Sequence, residues 1–191
     1  MTASGAAGRL PVSLEVAAGA SGPALVLRPW DPADAGALVE AYRDDALRRW
    51  TSAVVADEAD AARWIGEQRR GWETGRRFAF AVVEAGAAVP VLGHVVLRRA
   101  EGASRAEVGY WTVAAARGRG VASRALAVLS DWGFAAFGDA GPDRLELVHQ
   151  VDNAASCRVA HKCGYALAGM LPPAPPAYPL AGHVHVRERR G

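Results

Sequence analysis

Lysine is almost missing from this chain: Lys162 stands alone among 22 basic residues, the rest being arginine. A Walker phosphate loop ends in Gly-Lys-Ser/Thr, so that class of nucleotide site is excluded. Cysteine is scarce too. Cys157 and Cys163 lie six apart on a predicted helix, on different faces, and cannot pair with each other. Unpaired thiols suit a reducing compartment, which gives a cytoplasmic expectation. No C-x-x-C occurs and the histidines are dispersed. His183 and His185 share a strand face by period two, but no third ligand accompanies them, so no metal is expected. Charge of one sign is also lacking: the net charge is +2, and no basic run alternates with aromatics, so no nucleic acid is expected. No apolar run is long enough to cross a bilayer, and no membrane partner is expected. Residues 1–11 are small and polar and lack the apolar core of a signal peptide; they are expected to form a flexible tail. Internal repeats are absent.

What is present fits one domain over residues 12–191. The chain has 191 residues, about half of them apolar, enough for a core without disulfides or metals. Alternation predicts a hairpin from Val12–Val16 and Ala24–Arg28. Asp31, Pro32 and Asp34 form a helix start, with the helix running to Arg43; Asp44–Thr51 is a short helical piece; Asp57 and Asp60 start a helix to Thr74. Arg77–Glu84 and Val89–Arg99 are predicted as a hairpin about Gly86, followed by a strand over Arg105–Val113. Further strands are predicted at Arg144–Gln150, Tyr165–Met170 and Gly182–Glu188, with a helix over Asn153–Cys163. Leu171–Pro179 is proline-rich and reads as a stiff connection between strands. The fold class is α+β, or mixed α/β, with hairpins on one side and a β-loop-α-β crossover in the middle.

The most informative segment is Arg117-Gly118-Arg119-Gly120-Val121-Ala122-Ser123. It joins the strand ending near Val113 to an amphipathic helix reaching Phe137. Two glycines allow close backbone approach to a ligand, and a first helical turn offers N–H groups with no partner inside the helix. The helix dipole favours an anion there, and Arg117 and Arg119 add donors suited to a diphosphate. A dinucleotide fingerprint fits poorly. Ser123 stands at the third glycine position, and Asp139 and Asp143, the acids at the right distance, sit in a loop before the next strand. A solvated turn is the remaining plain reading.

Arg117-x-x-Gly120-x-Ala122 matches the Q/R-x-x-G-x-G/A loop of the GNAT superfamily of acyl-CoA N-acyltransferases. Glu107-Val108-Gly109-Tyr110-Trp111 resembles the strand before that loop in the branch that acetylates ribosomal-protein N-termini, the Rim type. Val151-Asp152-Asn153-Ala154-Ala155-Ser156 with Lys162-Cys163-Gly164-Tyr165, and Leu27-Arg28-Pro29-Trp30 with Asp34-Ala35, resemble its other segments in the same order. The resemblance covers about residues 24–190. It implies a GNAT-like fold: a mostly antiparallel twisted sheet of about seven strands, about four helices, and a V-shaped splay between the two central strands. It also implies acetyl-CoA as co-substrate and a primary amine as acceptor, in a monomer or homodimer. A coenzyme A-binding module of the same fold without turnover is the alternative.

Carried over residue by residue, the resemblance implies that the backbone of Arg117, Gly118, Arg119, Gly120, Val121, Ala122 and Ser123 holds the pyrophosphate. Free amides near Trp111, Thr112 and Val113 would polarise the thioester carbonyl and bond the pantetheine arm, with Asn153 a further contact to that arm. Ser156 is implied as the acid protonating the leaving thiolate, with Tyr165 second to it, and Glu107 as a base acting through water, with His149 an alternative. Asn153 and Ser156 also read as an ordinary helix cap. Cys157 is a weak candidate for a covalent relay, since no histidine is placed in the sequence to activate it. For the acceptor pocket, Trp30, Tyr42, Trp50, Trp64, Trp72, Tyr178, His183 and His185 lie in the right regions. His183 replaces an acid frequent in the Rim branch, which leaves small-molecule amines open beside peptide N-termini.

Overall fold

Turn residues and alternating apolar positions divide the described residues into eight strands and five α-helices. The structure, a computed structural model, describes residues 13–20, 22–86, 90–100, 102–176 and 178–190; the expected tail, residues 1–11, falls outside them. In chain order the elements are β1 (Leu14–Val16), β2 (Leu25–Pro29), α1 (Ala35–Tyr42), α2 (Asp45–Trp50), α3 (Glu58–Glu73), β3 (Arg77–Glu84), β4 (Gly93–Arg99), β5 (Arg105–Thr112), α4 (Val121–Ala135), β6 (Arg144–Gln150), α5 (Ala154–Lys162), β7 (Ala166–Leu171) and β8 (Gly182–Glu188). The sheet order is β1-β2-β3-β4-β5-β6-β8-β7. Among the described residues this gives eight strands where about seven are expected and five α-helices where about four are, in the mixed, mostly antiparallel sheet that is expected. No helix among the described residues is long and apolar enough to cross a membrane.

Local signals account for the helix starts. Asp31 accepts from the Ala33 N–H and Asp34 accepts from the Asp31 N–H, a capping box around a 3₁₀ turn at Pro32–Asp34. Asp44 accepts from the Ala46 N–H and Asp57 from the Asp60 N–H, one-way N-caps of α2 and α3. The helix predicted from Asp31 is therefore a 3₁₀ turn leading into a shorter α1. Strand β4 starts at Gly93 rather than Val89; residues 87–89 lie outside those described.

The two faces of the sheet bury different stripes. Phe78, Phe80, Leu97, Val108 and Leu145 pack on one face against Ala125, Leu126, Leu129 and Trp132 of α4. The other face carries Ala79, Ala81, Val96 and Trp111 against Leu38, Tyr42, Trp64 and Ile65 of α1 and α3. These are the i, i+3/i+4 stripes of amphipathic helices set on period-two strands. Gly93 holds β4 tight to β5, because a Cβ there would lie 2.6 Å from the Trp111 carbonyl oxygen. Gly93→Ala is expected to destabilise the fold by about 1–3 kcal/mol, the usual effect of overpacking, and to lower the melting temperature by roughly 2–4 °C per kcal/mol. Differential scanning calorimetry of the two proteins checks this.

All strand pairs are antiparallel except β5 with β6, which are parallel because the chain crosses over through α4. That pairing runs only from Arg105↔Arg144 to Val108↔Leu147. Strand β5 continues to Thr112 and β6 to Gln150, so their C-terminal ends diverge. The sheet stays closed elsewhere: β4 follows β5 to Gly93↔Thr112, and β8 follows β6 to Gln150↔Gly182.

Candidate active site

Strand alternation decides which β5 amides face the gap. The Val113 N–H donates to the Leu92 carbonyl at 3.0 Å. By period two, Trp111 and Gly109 also turn their amides to β4, while Tyr110 and Thr112 present theirs to the unpaired side. Of the three residues expected to offer free amides, Thr112 does so. The Val113 amide is committed to β4 and Trp111 shares its side, so the set becomes Tyr110 and Thr112.

After β5 a 3₁₀ turn at Ala114–Ala116 carries the chain into the glycine loop. Gly118 and Gly120 hold φ of 74° and 71°, in the left-handed region that favours glycine. The first α4 bond runs from the Arg124 N–H to the Gly120 carbonyl. The amides of Gly118, Arg119, Gly120, Val121, Ala122 and Ser123 make no hydrogen bond among the described residues; for Gly120–Ser123 the opening of a helix requires this. Arg117 differs, since its amide closes the 3₁₀ turn on the Ala114 carbonyl at 3.2 Å. Its guanidinium pairs with Asp44 and lies 3.4 Å from the Thr112 carbonyl, so it contributes a side chain, not an amide. Arg119 lies 3.8 Å from Glu84. The Ser123 hydroxyl donates to the Gly120 carbonyl at 3.1 Å.

The diverging ends of β5 and β6 open on a cavity of about 440 Å³, a volume suited to a small ligand. It passes through the sheet. Tyr110 and Ser156 line it from the α4 and α5 side, while Glu107, Trp111 and His94 line it from the α1–α3 side. The glycine-loop residues lie outside the cavity lining.

Ser156 and Asn153 sit at the start of α5. The Ser156 N–H donates to Asn153 Oδ1 at 3.1 Å, so the capping role is filled. The Ser156 side chain meets Tyr110, whose hydroxyl donates to Ser156 Oγ at 3.0 Å. Tyr110 is the functional candidate that the sequence reading missed. Its parity with Ala106 and Val108 on the buried stripe, next to a motif strand, was the available signal. Burial pushes its hydroxyl up to about 12, against the opposing hydrogen bond to Ser156, so it keeps its proton at neutral pH. Tyr165, the expected second choice as acid, is instead a core residue with its hydroxyl 2.6 Å from Ser130 Oγ. Burial raises its pKa strongly, and it does not line the cavity.

On the opposite side of the gap Glu107 pairs with Arg98. The imidazole of His94 is buried, and its Nδ1 accepts from Trp30 Nε1–H at 3.0 Å, which places the ring proton on Nε2. Burial, with Arg77 and Arg98 nearby, holds it well below the ordinary histidine range and therefore neutral. Of the aromatic residues expected around the acceptor, Tyr42, Trp50, Trp64 and Tyr178 line the cavity, and Trp30 stands behind them against Trp64 and Trp111. Trp72 packs instead with Phe78, Phe80 and Trp132.

The histidines depart furthest from expectation. His183 pairs across the ladder with His149, and His185 with Leu147, so His149, His183 and His185 share one face. Cys157, projecting from α5, lies 3.7 Å from His149 Nε2 and 3.4 Å from His183 Nδ1. Two histidines thus stand beside a thiol that the sequence reading left without one, and the pair expected to lack a third ligand has two more donors. Burial, chiefly, lowers the pKa of His149 and of His185.

Comparison with known proteins agrees with this geometry. The family model for the acetyltransferase (GNAT) domain matches residues 24–166. No curated protein sequence matches the chain. Among solved structures, a microcin self-immunity acetyltransferase in complex with acetyl-CoA and AMP is 19% identical, with a TM-score of 0.74 over 86% of this chain and 92% of that one. A Salmonella typhimurium acetyl transferase that modifies the N-terminal serine of a 50S ribosomal subunit protein is 19% identical, with a TM-score of 0.74 over 95% and 99% of the two chains. Mycobacterium smegmatis RimJ in complex with CoA-disulfide is 18% identical, with a TM-score of 0.72 over 87% and 82%. At these identities the likeness is one of fold, and it is the match along most of the sequence, joined to a sheet that splits beside a glycine-opened helix, that places the chain in the GNAT acetyltransferase family.

Proposed function

We propose that the protein transfers an acetyl group from acetyl-CoA to a primary amine, of a peptide N-terminus or a small molecule, with both substrates bound together. The observation that carries this reading is the gap between β5 and β6, where the free amide side of Tyr110 and Thr112 leads along one strand to the open amides of Gly118–Ser123. The loop amides, Arg117 and Arg119 take the pyrophosphate. Thr112 and Tyr110 bond the pantetheine arm as an added strand, and the deeper Tyr110 amide polarises the thioester carbonyl. Asn153 uses Oδ1 for its cap, so its side-chain NH₂ is the group that donates to the arm.

Direct attack needs a neutral amine on one side of the carbonyl and a proton for sulfur on the other. Glu107, in the cavity wall, accepts the ammonium proton through water. Ser156 Oγ–H donates to the departing thiolate, and the Tyr110 hydroxyl, bonded to Ser156 Oγ, stabilises the oxygen as its proton moves. Between these two sides, the aromatic wall of Tyr42, Trp50, Trp64 and Tyr178 suits an acceptor with an apolar portion.

Thiol release from acetyl-CoA across a panel of N-terminal peptides and small amines tests the proposal. Release that depends on the amine is expected, together with a larger thermal shift from acetyl-CoA than from NAD or ATP. Tight acetyl-CoA binding with release at background over the whole panel would assign the chain to the non-catalytic alternative.

A further inference from the structure

We propose that His149, Cys157, His183 and His185 form a site for one zinc-type divalent cation, which ties α5 to β6 and β8. One ligand atom from each of the four residues lies within 4.8 Å of all the others. Three imidazoles and a thiolate are the donor set that zinc and its borderline-soft neighbours prefer over magnesium or calcium. With ordinary Zn–N and Zn–S bonds, a tetrahedral site has N···S edges of about 3.6 Å and N···N edges of about 3.4 Å. The two Cys157 separations, 3.7 and 3.4 Å, already match such edges, so closing the site calls only for the remaining edges, none longer than 4.8 Å, to shorten.

Two independent observations show that these side chains are set for a ligand. The first is the His149 tautomer. Its Nδ1 lies 2.8 Å from the Gln150 carbonyl, which can only accept, so Nδ1 carries the proton and Nε2 faces the thiol with a bare lone pair. A backbone carbonyl on the far nitrogen is the usual support of a metal-bound histidine. The second is His185. It is 1% exposed, and neither ring nitrogen has a hydrogen-bond partner among the described residues; the Tyr165 carbonyl lies beside the ring without reaching hydrogen-bond geometry. A buried imidazole with both nitrogens unsatisfied is unfavourable unless something else meets it. A cation bonded to one nitrogen supplies that partner and leaves the other for the Tyr165 carbonyl.

On binding, the Cys157 thiol loses its proton to solvent as the metal–sulfur bond forms, and the imidazoles bind as neutral donors. Four protein ligands close the coordination sphere, so the ion holds structure rather than activating water. What it holds is the α5 turn that carries Ser156, one residue before Cys157, against the strand that lines the cavity. Sheet order builds the site: β8 inserts between β6 and β7, which sets His183 opposite His149.

The test uses the full chain, stripped with a chelator and titrated with Co²⁺. One equivalent is expected to produce a near-ultraviolet thiolate-to-cobalt charge-transfer band with the visible bands of a four-coordinate ion, all displaced by Zn²⁺. Cys157→Ser is expected to abolish the charge-transfer band. His183→Gln is expected to weaken Zn²⁺ binding at least about tenfold, the lower end of what even an outer partner of a ligand contributes. Zn²⁺ should raise the melting temperature of the parent chain and not of these variants. A spectrum of six-coordinate cobalt without charge transfer, or Zn²⁺ affinity unchanged in both substituted proteins, would overturn the proposal. Circular dichroism of the metal-free variants establishes that they are folded, and the His183→Gln result stands alone should Cys157→Ser not fold. Acetyl-CoA turnover plays no part in these readings, so their outcome is independent of the proposed activity.

Discussion

Gly120→Glu is expected to weaken acetyl-CoA binding by at least about 100-fold, or roughly 2.8 kcal/mol at 1.4 kcal/mol per decade. Two effects act together. Gly120 is the N-cap of α4 with φ of 71° and ψ of 5°, a left-handed conformation that costs a residue with a Cβ about 1–2 kcal/mol. The loop either bears that strain or moves, and moving turns the amides of Val121, Ala122 and Ser123 away from a common point. The new carboxylate also sits where the helix start would gather negative charge, so it repels the diphosphate and competes for the same N–H groups. Gly120→Ala separates the two contributions. It carries the strain without the charge, and should lose up to about tenfold in affinity while lowering stability by about 1–2 kcal/mol. Isothermal titration with acetyl-CoA, on protein whose fold is established by circular dichroism, measures both. A folded Gly120→Glu protein that binds like the parent would remove the glycine loop from the cofactor site.

The loop itself was legible because its signal is local: glycines at the left-handed positions, an amphipathic stripe behind them and a strand in front. Strands bounded by turn residues were legible for the same reason. Arg77–Glu84, Arg144–Gln150 and Gly182–Glu188 span the residues predicted for them. What lay beyond the sequence depends on neighbours far along the chain. The split between β5 and β6 is a failure of pairing after Val108 and Leu147, and nothing in either strand marks it. Whether Thr112 or Val113 presents a free amide turns on the Val113–Leu92 hydrogen bond, which fixes the phase of the alternation. The cysteine–histidine group is hidden for a topological reason. His149, Cys157 and the β8 histidines come from three elements, and only the placement of β8 next to β6 brings them together. Tyr165 shows the reverse error, a side chain with suitable chemistry that the core claims, its hydroxyl spent on Ser130.

Ser156→Ala is expected to lower kcat by about 100-fold, the lower end of the range for general acid catalysis, and to leave the KM for acetyl-CoA within about threefold, the pattern of an interaction made chiefly in the transition state. The helix should survive the change. The bond that starts α5 runs from the Ser156 backbone N–H to Asn153 Oδ1, and alanine keeps that N–H. A serine needed only for packing would give the opposite result, with a lower melting temperature and turnover per folded molecule intact. Tyr110→Phe divides the role further. It removes the hydroxyl that donates to Ser156 Oγ at 3.0 Å and keeps the ring that packs against the core. If Ser156 is the donor and Tyr110 its support, Tyr110→Phe should cost about tenfold in kcat, and the double variant should fall little below Ser156→Ala alone, because the two act as one unit. If Tyr110 itself delivers the proton, the ranking inverts and Tyr110→Phe becomes the more damaging change. The pH profile gives an independent reading. Burial holds the Tyr110 hydroxyl up to about 12, so its proton stays in place throughout the neutral range. The alkaline limb of kcat in the parent protein should therefore show no loss attributable to this group below about pH 10, the ordinary tyrosine pKa.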